Sequence, residues 1–266
     1  IVGPEYAGRA ISKIGFGIVC ATVFGIPVGT LISDAWGWRS AFAILAVVAF
    51  AKALLLLIYL PTTNKHKEPV SLLAQFKILR SPLMLGHVLL SVLVFSGMFT
   101  AYTYLADMLE RLAGFNGTVV GWCLMGFGAV GLLGNSLGGR MVDHHPLIAS
   151  LFFSAFMITG MVAVVPSMHS TLGLGLALAV WGITQAALFL VSHVRLMKAA
   201  PHAPAFAASL NIAGANLGIG IGAIIGGQVI DNFGLGSLGF AAAGIILLSI
   251  LLALLLMSAK PVPVWA

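Results

Sequence analysis

Apolar residues run along this chain in blocks of about 20, broken by short polar connectors, and a block of that length is what an α-helix needs to cross a hydrocarbon core. Eight blocks qualify, at 14–33, 40–60, 83–106, 117–138, 147–165, 171–193, 206–230 and 238–258. The predicted fold class is therefore an all-α polytopic membrane protein with about eight transmembrane helices. The longest connector, Pro61 to Pro82, carries Lys65, Lys67, Lys77 and Arg80, and its second half fits an amphipathic surface helix.

Composition agrees with this pattern. Of 266 residues, 60% are hydrophobic and 8% charged, and the mean hydropathy is +1.10. A soluble domain is about a quarter charged, and no soluble core hides this much apolar surface. The lipid bilayer is the expected partner. The net charge of +6 is too sparse and scattered to suggest nucleic acid. Cys20 and Cys123 sit in apolar runs without a C-x-x-C neighbour, so neither a disulfide framework nor a metal site is expected. No H-E-x-x-H motif occurs among the seven histidines, and no cofactor motif was found. The chain opens on Ile1 without the ordered regions of a signal peptide, so it is expected to begin partway through a longer protein.

Charge placement orients the spans. If the residues before the first span are cytoplasmic, that side holds Arg9, Lys13, Lys65, Lys67, Lys77, Arg80, Arg140, Arg195, Lys198 and Lys260. The other side holds only Arg39 and Arg111, and Lys52 lies within a span. The positive-inside rule then places both ends of the chain in the cytoplasm. No Asp or Glu falls clearly at mid-membrane: Asp34, Asp107, Glu110 and Asp231 lie at outer ends, and Glu5, Glu68 and Asp143 lie inside.

The first and seventh spans repeat one another at an offset of 197 residues without a gap. Gly17 falls on Gly214, Ala21 on Gly218, Gly25 on Gly222 and Gly29 on Gly226. Asp34 falls on Asp231, Trp36 on Phe233 and Gly37 on Gly234. Both spans leave the cytoplasm in the same direction, so the repeat is parallel, as in the two halves of a major facilitator transporter. Residues 1–60 are then the last two spans of an N-terminal half and 61–82 the cytoplasmic linker. Residues 83–259 form the six-helix C-terminal half and 260–266 a cytoplasmic tail. Four further spans are expected upstream.

Three stretches carry a family resemblance. GIPVGTLISDAWGWRSAF, Gly25 to Phe42, resembles the fifth-span antiporter motif of the twelve-span drug/proton antiporter family of the major facilitator superfamily. GNSLGGRMVDH, Gly134 to His144, resembles its loop signature between spans eight and nine. Arg195 to Gly227 resembles the tenth-to-eleventh-span region of arabinose-efflux-permease-like members. The resemblance implies the major facilitator fold and proton-driven export of a small molecule, sugar-like or drug-like, across the bacterial inner membrane. Proton coupling rests on the resemblance alone. No bond is broken, and no enzymatic activity is expected. The alternative is a truncated, non-transporting remnant or membrane interaction fragment. Substrate identity and oligomeric state are not legible.

Candidate residues fall into groups, each with a plainer reading beside the functional one. Gly17, Ala21, Gly25 and Gly29, with Pro27 among them, form one small-residue face; Gly214, Gly218, Gly222 and Gly226 form another. Such faces let membrane helices approach closely, either as static packing or as sliding seals. Arg140 and Asp143, three residues apart, are either an ordinary charged loop end or an inner gate, and the double glycine before them suits a tight exit from the membrane. Thr100, Tyr104, Trp181 and Gln185 lie on the spans that the resemblance assigns to the central substrate cavity; the alternative is helix-to-helix hydrogen bonding or an interfacial belt. Lys52 either snorkels or pairs with a neighbouring helix, or meets an anionic substrate.

Overall fold

A computed structural model describes residues 25, 28–29, 32–33, 35–59, 81–201 and 203–258. Gly17, Ala21 and Pro27, with most of the first predicted span, lie outside the described residues, as do 60–80 and 259–266. Every regular element described is helical. Among the described residues, seven helices are long and apolar enough to span a bilayer, and they coincide with the second to eighth predicted spans. This bears out the all-α polytopic reading. In hydrocarbon a helix satisfies its own backbone groups, which an open strand cannot do.

The chain divides into two compact units, Ile1–Pro69 and Val70–Ala266. In the first, α1 (Trp38–Tyr59) has no buried residue among those described and is apolar apart from Arg39, Ser40 and Lys52. The Arg39 guanidinium lies 4.5 Å from the Trp38 ring centroid.

The second unit holds α2 (Pro82–Tyr102), α3 (Leu105–Arg111), α4 (Gly117–His144), α5 (Pro146–Val164), α6 (Thr171–Ala199), α7 (Pro204–Phe233) and α8 (Leu238–Ser258). Helix starts follow capping chemistry. Ser81, Asn116 and Ser170 accept from the N–H groups of Met84, Val119 and Gly173, satisfying donors that have no partner within the helix. Pro82, Pro146 and Pro204 open their helices at positions where no N–H is needed.

The principal packed pairs are α2 with α7, α4 with α6, α5 with α6, and α8 with both α2 and α5. The core between them is filled by Phe95, Met98, Phe153, Met157 and Trp181, each almost fully buried. Two glycine seams bring backbones together. On α7, a Cβ at Gly218 would lie 2.6 Å from the Val92 carbonyl oxygen, and Cβ atoms at Gly222 and Gly226 would overlap those of Ser96 and Thr100. On α4, Gly134 sits against the Ile183 carbonyl and Gly138 against Ala187 of α6. Among the described residues, no heavy atom lies within 4 Å of a notional Cβ at Gly25 or Gly29.

The second seam corrects one expectation. The double glycine Gly138-Gly139 suits a tight turn at the end of the span 117–138, yet α4 runs through it as helix to His144. Neither glycine adopts positive φ. Gly134 and Gly138, four residues apart, lie on one helix face and are small because α6 is close, not because the chain turns.

The repeat has a structural counterpart within each unit. Gly37 and Gly234 both have φ of 81°, a region that side chains rarely enter. Each donates its N–H four residues back, Gly37 to Ser33 O and Gly234 to Ile230 O. Ser40 and Ser237, again 197 apart, return bonds to the carbonyls of Trp36 and Phe233. Gly234→Ala should cost about 1–3 kcal/mol through backbone strain, read as a lower melting temperature of the detergent-purified protein.

Candidate functional site

The four residues predicted for the cavity occupy two places. Thr100 is fully buried on α2, and its hydroxyl donates to Ser96 O at 2.7 Å. Tyr104 follows the break between α2 and α3, and its hydroxyl donates across to Ala223 O of α7 at 2.8 Å. Both belong to the α2–α7 seam. Trp181 and Gln185 lie one turn apart on α6, and the indole N–H donates to the Gln185 carbonyl oxygen at 2.9 Å. Trp181 also meets Phe127 of α4 edge-on, at 5.6 Å between centroids. The Gln185 amide nitrogen has no hydrogen bond among the described residues.

Of the gate candidates, Arg140 is exposed and has no ion-pair partner among the described residues. Asp143 pairs instead with Lys198 of α6, Nζ to carboxylate 3.7 Å. Lys198 also donates to the backbone oxygens of Val142 and Asp143, at 3.0 and 2.6 Å. A cation there suits the negative end of the α4 dipole, and offsets the acid that α4 carries in its last turns. The ion pair is solvent-accessible and by itself contributes about 0–1 kcal/mol.

The densest polar cluster is elsewhere. Arg195 of α6 is only 1% exposed. One guanidinium nitrogen lies 2.8 Å from His87 Nδ1 and donates to His87 O at 3.2 Å. The other donates to Ser91 Oγ at 2.8 Å. Ser91 in turn donates to Asn211 Oδ1 of α7 at 2.9 Å, and the Asn211 amide lies 3.5 Å from His193 Nδ1. Three helices are thus tied by one network. Arg195 Nε is buried without a partner, and no carboxylate pairs with the guanidinium among the described residues. A charge held in the interior without a counter-ion costs several kcal/mol.

A family model described as Major Facilitator Superfamily matches residues 1–211 and, in a second match, 114–266. The chain belongs to the major facilitator superfamily. Two curated relatives within reach are a "Probable sugar efflux transporter" of Pasteurella multocida (strain Pm70) and another of Helicobacter acinonychis (strain Sheeba). The first is 29% identical over 246 residues, covering 91% of this chain and 60% of the relative. The second is 29% identical over 243 residues, covering 91% of this chain and 62% of the relative. The chain thus spans about three fifths of the length of these relatives.

For a major facilitator protein the Arg195 network is the feature that sequence reading missed. Arg195 and Lys198 read alike as cytoplasmic-end cations, and only the fold separates them, one buried and one at the surface. The available signal was the spacing of His87 and Ser91, one turn apart on α2, together with Asn211 on the neighbouring glycine-rich span.

Proposed function

We propose that this chain is part of a secondary active transporter that exports a small sugar-class molecule by alternating access, with proton entry as the driving reaction. The observation that carries this reading is the family match along the whole chain, joined to relatives described as probable sugar efflux transporters over 91% of it. The buried polar network and the unbonded Gln185 amide nitrogen support it. A sugar is recognised through hydroxyl groups, and Gln185 offers a donor of that kind beside the Trp181 ring. Thr100 and Tyr104 would line the same path once the α2–α7 seam moves. The glycine faces of the first and seventh spans would pack and seal the bundle. The charge asymmetry favours both ends of this chain in the cytoplasm, and the family resemblance implies a bacterial inner-membrane location.

In this reading Arg140 and Asp143 act at the inner gate, Asp143 engaging Lys198 in one state and Arg140 engaging a partner in another. Arg140→Ala should lower export about fivefold or more, with the amount of protein in the membrane unchanged. Export at the parental rate removes Arg140 from the gate.

The reading is tested in cells expressing the complete coding sequence and loaded with a radiolabelled, non-metabolised sugar. Faster loss of label than from cells without the protein supports sugar export. Equal loss across a panel of pentoses, hexoses and disaccharides overturns the sugar class.

A further inference from the structure

We propose that the cavity beside the α4–α5 turn binds a phosphate group, carried by the headgroup of an anionic phospholipid or by free phosphate from solution. The cavity has a volume of about 410 Å³ and is lined on its polar side by His87, His144, His145, Arg195 and Lys198. Among the described residues no Asp or Glu lines it. Asp143, at the end of α4, is itself engaged with Lys198, and Lys198 is further held by two carbonyls. The uncompensated charge is that of Arg195, buried in the cavity wall with Nε unpartnered and no carboxylate within reach among the described residues. An anion in the cavity supplies the missing counter-charge.

A second feature of the wall favours an anion. Helix α5 starts at the cavity with Pro146 at its first position and His145 as a cap that makes no side-chain bond. The N–H groups of Leu147 and Ile148, both cavity residues, have no acceptor within the helix. Free N–H groups and the positive end of a 19-residue helix form an anion site.

The rest of the wall indicates which phosphate. Leu256 and Met257 of α8 face the same cavity, and Ile148 and Met257 are 45% and 46% exposed. They continue into the exposed apolar surface of Leu254 and Leu255. An acyl chain fits such a surface, whereas free phosphate leaves it uncovered. Basic pockets between membrane helices hold anionic headgroups in this way.

The test is independent of transport. Delipidated protein, purified as the full chain, is titrated with phosphatidylglycerol and with phosphatidylethanolamine and scored by native mass spectrometry. Inorganic phosphate is scored in parallel by melting temperature, against chloride at equal ionic strength. Phosphatidylglycerol should be retained about tenfold more strongly than phosphatidylethanolamine. The preference should vanish in His145→Glu/Ile148→Glu and, separately, in Met257→Glu, all at exposed positions whose change leaves the core intact. A phosphate-induced rise in melting temperature that the same variants abolish, without lipid preference, supports the site and assigns it to free phosphate. No response to either probe, or a response that survives in both variants, overturns the site.

Discussion

Gly222→Leu should abolish the folded C-terminal bundle, while Gly220→Leu, two residues away on the same helix, should leave it intact. The difference follows from what each position faces. A Cβ at Gly222 overlaps the Ser96 carbonyl oxygen and reaches to 3.0 Å from the Thr100 nitrogen. Both are backbone atoms of α2, so no rotamer change makes room. At Gly220 nothing lies within 4 Å. On helix propensity alone, alanine is favoured over glycine by about 1 kcal/mol. At Gly220 that preference should stand, and Gly220→Ala should be neutral or mildly stabilising. At Gly222 overpacking reverses it, and Gly222→Ala should cost about 1–3 kcal/mol, with leucine costing more. The measurement is the melting temperature of each detergent-purified variant by fluorescence-detected gel filtration. The same rule makes Gly134→Ala severe, because the Ile183 carbonyl occupies the place of its Cβ. Equal melting temperatures for the Gly220 and Gly222 variants would remove the seam as a determinant of packing.

Arg195→Met should retain or raise stability while abolishing export, and Ser91→Ala should do the opposite to stability. Arg195 is a buried cation held by neutral groups only, His87 and Ser91. Hydrogen bonds from neutral partners return part of its desolvation cost, and Nε recovers nothing. Methionine has similar length and no charge, so the substitution removes that cost; comparable replacements of buried ions range from neutral to about 1–4 kcal/mol stabilising. Ser91 keeps its bond to Asn211 after the change. Ser91→Ala, by contrast, leaves the charge and deletes a partner, which costs about 1.5–3 kcal/mol. If the hydrogen bonds of Arg195 to α2 hold the helices together, Arg195→Met is instead strongly destabilising. Thermal melts of the two variants, paired with an export assay, separate the cases. A large loss of stability in Arg195→Met assigns the arginine to architecture, and unchanged export assigns it no function.

The spans were legible because each is a continuous apolar run, and a membrane helix needs little else to declare itself. The repeat was legible from Gly214–Gly226 and from Asp231, and Ser40 with Ser237 extended it once hydrogen bonds were known. The role of Gly138-Gly139 was not legible, because a double glycine before Arg140 suits a turn and a close helix crossing equally well. Only the position of Ile183, about 50 residues further along the chain, distinguishes the two. The polar network was invisible for a related reason. Periodicity reports which residues share a helix face, and Arg195 meets His87 and Ser91 across 108 and 104 residues of sequence. Thr100 and Tyr104 are both polar groups directed within the bundle. Their partners are the carbonyls of Ser96 and Ala223, which no spacing rule names.

Transport driven by a proton gradient is measured most directly in sealed, everted membrane vesicles carrying the protein from its complete coding sequence. Labelled sugars, nucleosides and antibiotics are supplied outside, and uptake into the lumen is followed after an acid-inside gradient is imposed. Export in the cell corresponds to accumulation in these vesicles. The expected result is accumulation of at least one sugar that stops when a protonophore collapses the gradient and is absent from vesicles of Arg195→Met. Accumulation of no compound, or accumulation that is indifferent to the gradient, is the contrary result.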